Sequence, residues 1–460
     1  ALALGSSGQV LTTDGTDIQW GDETVSINNL TDAKTFGTSS IMIGDTTTGT
    51  IDGANYNTGL GVDVFAALTT GDANTAVGYA ALTANTTGTQ NTSVGNECMK
   101  ANTTGGYNTA FGSVTLESNT TGDYNTAFGR AALNANTTAS GNTALGISAL
   151  LVNTTGAGNT AVGQNALDAN TTASNNTAVG KDALGANTTG YNNTAVGSQA
   201  FDANTTGHSS VAVGRVALTT NTTGNQNIAV GVSALEANTT GSQNIAVGNN
   251  TLAVNTTADN NTAIGHQALT ANTTGTGNTA VGAIALDAIT TSNNCTAVGH
   301  EALTNATGGS GNTSIGKGTM TASVTGSNNT AVGYTALAAN TSASNNVAVG
   351  HNALVANTTG GNNTALGVYC LDANTTGSNN VAIGYDALGK LTTGGDNTAI
   401  GRGALLDTTT TSNNTAVGNE ALENNTGSDN NAFGKHALRN NTSGGDNNAF
   451  GKQCLFANTT

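Results

Sequence analysis

Asn74-Thr75-Ala76-Val77-Gly78 decides the fold, because it returns every seventeen residues almost unchanged. With seventeen positions counted from that Asn, the Gly at position 5 recurs at Gly44, Gly61, Gly78, Gly95 and Gly112. It continues through Gly384, Gly401 and Gly418 to Gly434 and Gly451. The ruler slips once: Gly418 to Gly434 is sixteen residues, where Asn425-Thr426-Gly427 replaces the usual Asn-Thr-Thr-Gly. A fixed period near twenty residues is the signature of a solenoid, in which each repeat is one supersecondary unit stacked on the next.

Position 4 is apolar in every copy (Val77, Val94, Phe111, Phe128, Leu145, Val162, on to Phe450), and position 2 is Thr, Ile or Val in most. Positions 2 and 4 share one face of an extended segment, so the pattern predicts a short strand with these residues toward the core and the Ala of position 3 outward. A second short strand is expected over positions 7–11, carrying Ala at 8 and Leu, Phe or Met at 9. The invariant position-5 Gly implies positive φ or a close backbone approach. Position 15 accepts Ala139, Ala173 and Ala258 as well as Gly and is the less strained corner. Asn at position 1 and at position 12 (Asn85, Asn102, Asn119, Asn136) would stack into two ladders whose amides bond the coils above and below. The expected fold is all-β: a parallel β-solenoid, or β-roll, of about 25 coils, some 120 Å long at one strand spacing per coil.

Composition agrees. The 460 residues include 63 Gly and no Pro, as suits a chain whose N–H groups nearly all donate to a neighbouring coil. Residues 1–37 fall outside the ruler and form an N-terminal attachment or capping segment; the repeat shaft is 38–460. Within the first, Gln9 to Trp20 reads as two strands joined by an Asp14-Gly15 turn. The net charge of −16 excludes nucleic acid and anionic membrane as main partners. No apolar run approaches the roughly 18 residues of a membrane span, and no stretch reads as a signal peptide.

The search for chemistry returns no catalytic constellation, cofactor motif or metal spacing. Cys98, Cys370 and Cys454 replace the position-8 Ala and read as small buried residues, while Cys295 replaces a position-1 Asn. Position 6 is the variable one. It holds seven of the eleven basic residues and gives a candidate contact stripe of Arg130, Lys181, Arg215, His266, His300, Tyr334, His351, Tyr385 and Arg402. A variable, charged file faces solvent, and it is the place on the shaft to look for a glycan contact. Carboxylates beside it at positions 7 and 10 serve solubility and short ion pairs. Calcium-roll spacing is absent, and the Asn-x-Thr sequons follow from the Asn ladder. Ice binding is disfavoured because the recurring Thr86-Thr87 pair is adjacent, so on a strand its members would face opposite ways.

The small Ala row of position 3, read as outward, suggests close packing of identical chains. Asn-Thr-Ala-Val-Gly-x-x-Ala-Leu resembles the Asn-Ser-Val-Ala-Ile-Gly repeats of trimeric autotransporter adhesin heads. The Asn-Thr-Ala-Val-Gly…Asn-Thr-Thr-Gly array also resembles phage tail-fibre-like proteins, as does the Gly-x-x-Gly-Gln-Val-Leu opening at Gly5. The resemblance covers about nine-tenths of the chain, and the coil is longer than in adhesin heads. It implies a left-handed homotrimeric fibre, joined to virion tail or baseplate proteins through its N-terminal segment and presenting a host-recognition tip. The alternative is a bacterial surface adhesin head or stalk, or a head-to-tail extracellular filament paired through its last coil at Asn458-Thr459-Thr460. The implied location is the virion or, on the alternative, the cell surface.

Overall fold

The computed structural model describes residues 9–13, 18–22, 33–36, 39–44, 53–322 and 324–459. β1 (Gln9–Thr13) and β2 (Ile18–Asp22) pair antiparallel, Gln9 opposite Asp22 and Thr13 opposite Ile18. This is the expected hairpin; its Asp14-Gly15 turn lies outside the described residues. β3 (Ala33–Phe36) runs antiparallel to β4 (Ser40–Ile43), the first rung of the repeat.

From β4 on, within each of two compact units, every rung is parallel to the next and in register. In β6 (Thr75–Val77) and β7 (Thr92–Val94), for example, Thr75 faces Thr92, Ala76 faces Ser93 and Val77 faces Val94. The rungs belong to two compact units. One extends to Ser174 and ends with the rung β11 (Thr160–Val162); the other begins at Asn175 and runs from β12 (Thr177–Val179) to β28 (Asn448–Phe450). Each unit is a parallel β-solenoid with one seventeen-residue repeat per turn, about twenty-four turns in all, and the described residues contain no helix.

Two features of the coil depart from the sequence reading. The first is which face of the strand is inside. Position 3 is buried in every rung, Ala76, Ala110, Ala280 and Ala399 completely, whereas positions 2 and 4 look outward and are half-buried or exposed. The reason is volume. A Cβ on Gly59, the one glycine at position 3, would lie 3.0 Å from Val64 and 3.2 Å from Phe65, the residues at positions 8 and 9 of its own coil. The strand therefore faces the Leu file directly across a narrow coil, and from the second rung on position 3 is only Ala, Ser or Gly; the first rung carries the buried Met42. Where position 3 is Ser, the hydroxyl is satisfied at position 8: Ser93 donates to the Cys98 carbonyl at 2.9 Å, and Ser314 to that of Thr319 at 3.2 Å. The outward Ala row does not exist, so it cannot be a contact between chains.

The second departure is the segment over positions 7–11, which is not a strand. Residues at positions 7 and 9 are left-handed in coil after coil: Ala80 and Leu82 have φ of 54° and 52°, Asp386 and Leu388 53° and 54°. A left-handed non-Gly residue costs about 1–2 kcal/mol, yet the geometry does what a strand cannot. Neighbouring positions 8 and 9 both turn inward, and Ala81 and Leu82 are both fully buried, although strand side chains alternate. The backbone stays bonded to its neighbours: Ala80 N–H reaches back to Val62 O at 2.9 Å, and Leu82 N–H reaches forward to Cys98 O at 3.2 Å.

The remaining expectations about the coil agree with the structure. Position-5 glycines have φ between 122° and 145°, and a Cβ on Gly78 would sit 2.4 Å from the Gly95 carbonyl oxygen. Both reasons for Gly apply. Gly88, at position 15, lies outside the left-handed region, which is why Ala139 and Ala173 stand at its equivalents, buried. Both Asn ladders are buried except in the last coil, where Asn447 and Asn458 are half-buried. At position 1 the Asn57 oxygen accepts from the Asn74 N–H (2.9 Å) and side-chain amide (3.1 Å), and the Asn57 amide donates to Gly71 O at 3.0 Å. At position 12 the Asn102 amide donates to the Asn85 oxygen and to Gly105 O, both at 2.9 Å. One ladder break leaves an orphan. Asn272 Oδ1 is buried without a partner, because the next coil carries Ile289 at position 12.

Candidate functional site

Beyond the position-5 Gly the chain turns outward, and position 6 is the first side chain on the flank. Arg130, Lys181, Arg215, His266, His300, Tyr334, Tyr385 and Arg402 are exposed there and His351 is half-buried. Arg130 lies in the first unit and the others in the second. Most stand alone or with a single acid: Lys181 pairs with Asp182, and His300 Nδ1 lies 3.5 Å from Glu301.

Only the C-terminal part of the stripe converges. Tyr334 stacks on His351 with centroids 5.5 Å apart and planes 9° from parallel. His351 meets Tyr369 edge-to-face at 5.3 Å, and Tyr369 meets Tyr385 likewise at 6.0 Å. Four consecutive coils thus carry a continuous aromatic strip. Tyr369 occupies position 7 rather than 6, and sequence reasoning missed it. A strand over positions 7–11 would have sent position 7 to the face opposite position 6, whereas the left-handed backbone keeps both on one flank.

The strip runs into a shallow depression lined by Tyr385, Asp386, Arg402, Gly403, Leu406, Glu420 and Glu423. Gly403 opens it. Position 7 holds Asp386 in the coil before and Glu420 in the coil after; at Gly403 the side chain is missing and Leu406 forms the floor. Glu420 anchors one wall, accepting from Arg402 at 3.3 Å, His436 at 3.1 Å and Arg439 at 3.1 Å. Arg439 also pairs with Glu423. In the coil before Asp386, burial pushes the Asp372 carboxyl above the ordinary range, with the Asp386 charge adding to the effect.

The arrangement offers stacking surface, three carboxylates as acceptors and one exposed guanidinium as donor. No cluster of three or more His, Cys, Asp or Glu side chains able to hold a metal occurs among the described residues. The thiols are inert by environment. Burial pushes Cys98 and Cys370 up to about 11, and raises Cys295 as well, far from the thiolate that reactivity needs. All four cysteines are free, with Cys454 half-buried. No helix is long and apolar enough to cross a membrane among the described residues. Comparison with protein-family models, with curated proteins and with solved structures gave no match.

Proposed function

We propose that this chain is the shaft of a homotrimeric fibre, a phage tail fibre, whose repeats carry mechanical load between a virion attachment at the N-terminal segment and a host-recognition tip. One observation carries the reading. From Thr58 to Phe450 no residue at position 2 or 4 is charged, although these side chains face outward and the chain has 38 charged residues (11 basic and 27 acidic). Parallel files of Thr and Val, Ile, Leu or Phe make a flat, uncharged sheet face on each unit. Its exposed members include Leu60, Leu145, Ile264 and Leu366.

An extended apolar face of this kind marks a contact surface. Each rung leaves on the order of 100 Å² outward at positions 2 and 4, so some eight rungs reach the ~800 Å² per partner of a standard interface. A second copy presents the same rung spacing and meets the face rung for rung. Closed symmetry is the usual arrangement of identical chains, and three copies would enclose all three faces around one axis. The contact is thus assigned to positions 2 and 4 in place of the buried Ala row. The array's resemblance to tail-fibre-like repeats supports the virion reading over a free-standing solenoid.

The test is the native mass by light scattering at two concentrations, for the parent and for a Val281→Asp, Val298→Asp variant of outward position 4. The reading expects a concentration-independent mass of three times 45.0 kDa, and a folded monomer from the variant. A monomeric parent would sink it, and a mass that grows with concentration would replace it with an open filament.

A further inference from the structure

We infer that the vacated rung at Gly403 is a saccharide subsite, and that the strip Tyr385, Tyr369, His351 and Tyr334 extends it into a groove for an uncharged, hydroxyl-rich glycan chain. The proposal gives a ligand to the flank of the fibre proposed above, but it lies at positions 6, 7 and 10 and uses no residue of the position-2 and position-4 face.

The first argument is that nothing in the fold requires glycine here. Position 7 takes left-handed φ in every coil, and Gln199, Gln267, Asp386 and Glu420 adopt it at 56°, 55°, 53° and 53°, beside 62° for Gly403. A Cβ on Gly403 would meet only Glu420 Cγ, at an ordinary 3.5 Å. Glycine relieves the strain of the left-handed φ, as Gly318 does at position 7 of another coil, but most coils carry a side chain there; at Gly403 its absence also opens space between Asp386 and Glu420.

The second argument is the chemistry around that space. Carboxylates of Asp386, Glu420 and Glu423 accept hydrogen bonds, the exposed Arg402 guanidinium donates them, and Tyr385, half exposed at 49%, supplies an apolar ring at the rim. Adjacent acceptors and a donor beside an aromatic ring suit the vicinal hydroxyls and apolar C–H face of a pyranose. Glu420 pairs with Arg402 and Arg439, and Glu423 with Arg439, while Asp386 adds an acid beyond these pairs; that excess and the chain's net charge of −16 disfavour sialic and uronic acids.

The third argument is repetition. Aromatic rings follow at centroid spacings of 5.3–6.0 Å over consecutive coils; Tyr334 and His351 stack on each other and Tyr369 meets both neighbours edge-to-face, so the strip forms a continuous aromatic border that ends at the exposed Tyr385. Among the described residues no comparable strip spans four coils.

The experiment uses the full chain on immobilised mannose, galactose and N-acetylglucosamine oligomers, with sialylated and polyuronate oligomers alongside. Two variants install residues that the same positions hold in other coils and so keep the fold: Gly403→Gln fills the depression, and Tyr385→Ser, as at Ser113 and Ser198, removes its rim. Expected are binding to at least one neutral oligomer, rejection of the acidic ones, and a loss of about tenfold or more in either variant at unchanged melting temperature. The proposal is overturned if no neutral oligomer binds, if acidic oligomers bind as well, if a Lys-rich peptide binds in their place, or if Gly403→Gln leaves affinity intact. Native mass is measured on the same samples, so a monomer that binds glycan defeats the fibre reading and leaves this one standing.

Discussion

Replacing Asn363, a position-1 rung of the second unit, tests whether the amide ladders hold the coils together. Its oxygen accepts from the Asn380 N–H at 2.9 Å and from the Asn380 side-chain amide at 3.2 Å, and its own amide donates to Gly377 O at 2.9 Å. Asn363 and Asn380 are fully buried, so no water replaces these bonds. Asn363→Ala strands one backbone donor, the Asn380 N–H, while Gly377 O keeps the Asn374 amide at 3.0 Å; at about 1–3 kcal/mol for a buried unsatisfied group, the loss is about 1–3 kcal/mol. The chain contains a milder substitution at the same position: Ser210 Oγ accepts from the Asn227 N–H at 3.1 Å, keeping the acceptor and losing the reach to position 15. Asn363→Ser should therefore strand neither group and cost less than Ala, under about 1 kcal/mol. A long repeat array need not unfold in one step, so the readout is native-state hydrogen exchange at Val381 and Gly384. Their N–H groups bond Asn397 O and Leu366 O at 2.8 and 2.9 Å. Protection there should fall in the order parent, Ser, Ala. Equal protection in the Ala and Ser variants, or a loss under about 1 kcal/mol for Ala, would refute the claim that ladder amides are irreplaceable corner partners.

Three further outcomes follow from the same coil. Ala280→Leu at inward position 3 should lower stability by about 1–3 kcal/mol or more through overpacking against the Leu file, while Val281→Thr beside it stays within about 0.5 kcal/mol; thermal melts of both check the inverted strand face. Gly350→Ala would place a Cβ 2.3 Å from Gly367 O at φ 141° and should disrupt its coil; Gly360→Ala would place one 2.1 Å from Gly377 O, but at an ordinary φ and at the position where Ala139 and Ala173 stand, so a local shift should accommodate it at lower cost; limited proteolysis around each coil distinguishes them. Asp202 and Asp372 at position 10 sit above the usual carboxylate range, each by burial first and a neighbouring Asp second. A carboxyl raised in the folded state stabilises fully in acid, and that contribution is lost as pH rises through its folded value. An Asp202→Asn, Asp372→Asn variant should then melt above the parent at neutral pH, with the gap closing below about pH 4; a gap that widens in acid would contradict the assignment.

The period, the Gly at position 5 and both Asn ladders could be read from the sequence, because each is a backbone demand repeated in all or most copies, and the one-residue slip stands out against them. The orientation of the strand could not be read from polarity. Val77 looks like core and Ala76 like surface until the width of the coil is known, and that width is set by Leu82 across from the strand. From the second rung on, adjacent positions 8 and 9, Ala81 and Leu82 in one coil, are both apolar in all but the coils of Thr115, Thr251 and Thr319, and that was the available warning, since two neighbours cannot share one face of a strand. The candidate site was half legible. Position 6 announced itself by its variability, but Tyr369, Asp386 and Glu420 at position 7 join it only because the backbone between is left-handed, and Gly403 matters through what it lacks.

The one-residue slip also bears on how such a chain can change length over generations. In the sixteen-residue coil the Asn425 amide still closes its corner, donating to Gly427 O at 2.7 Å across two residues where other coils span three. The corner between positions 12 and 15 is therefore the place where a single-residue deletion is absorbed, while one within positions 1–9 would put Ala, Leu and Gly out of step with both neighbours. A whole coil gained or lost by recombination between near-identical repeats meets the same ladders above and below, so this architecture lets length vary in seventeen-residue quanta while its cross-section stays constant.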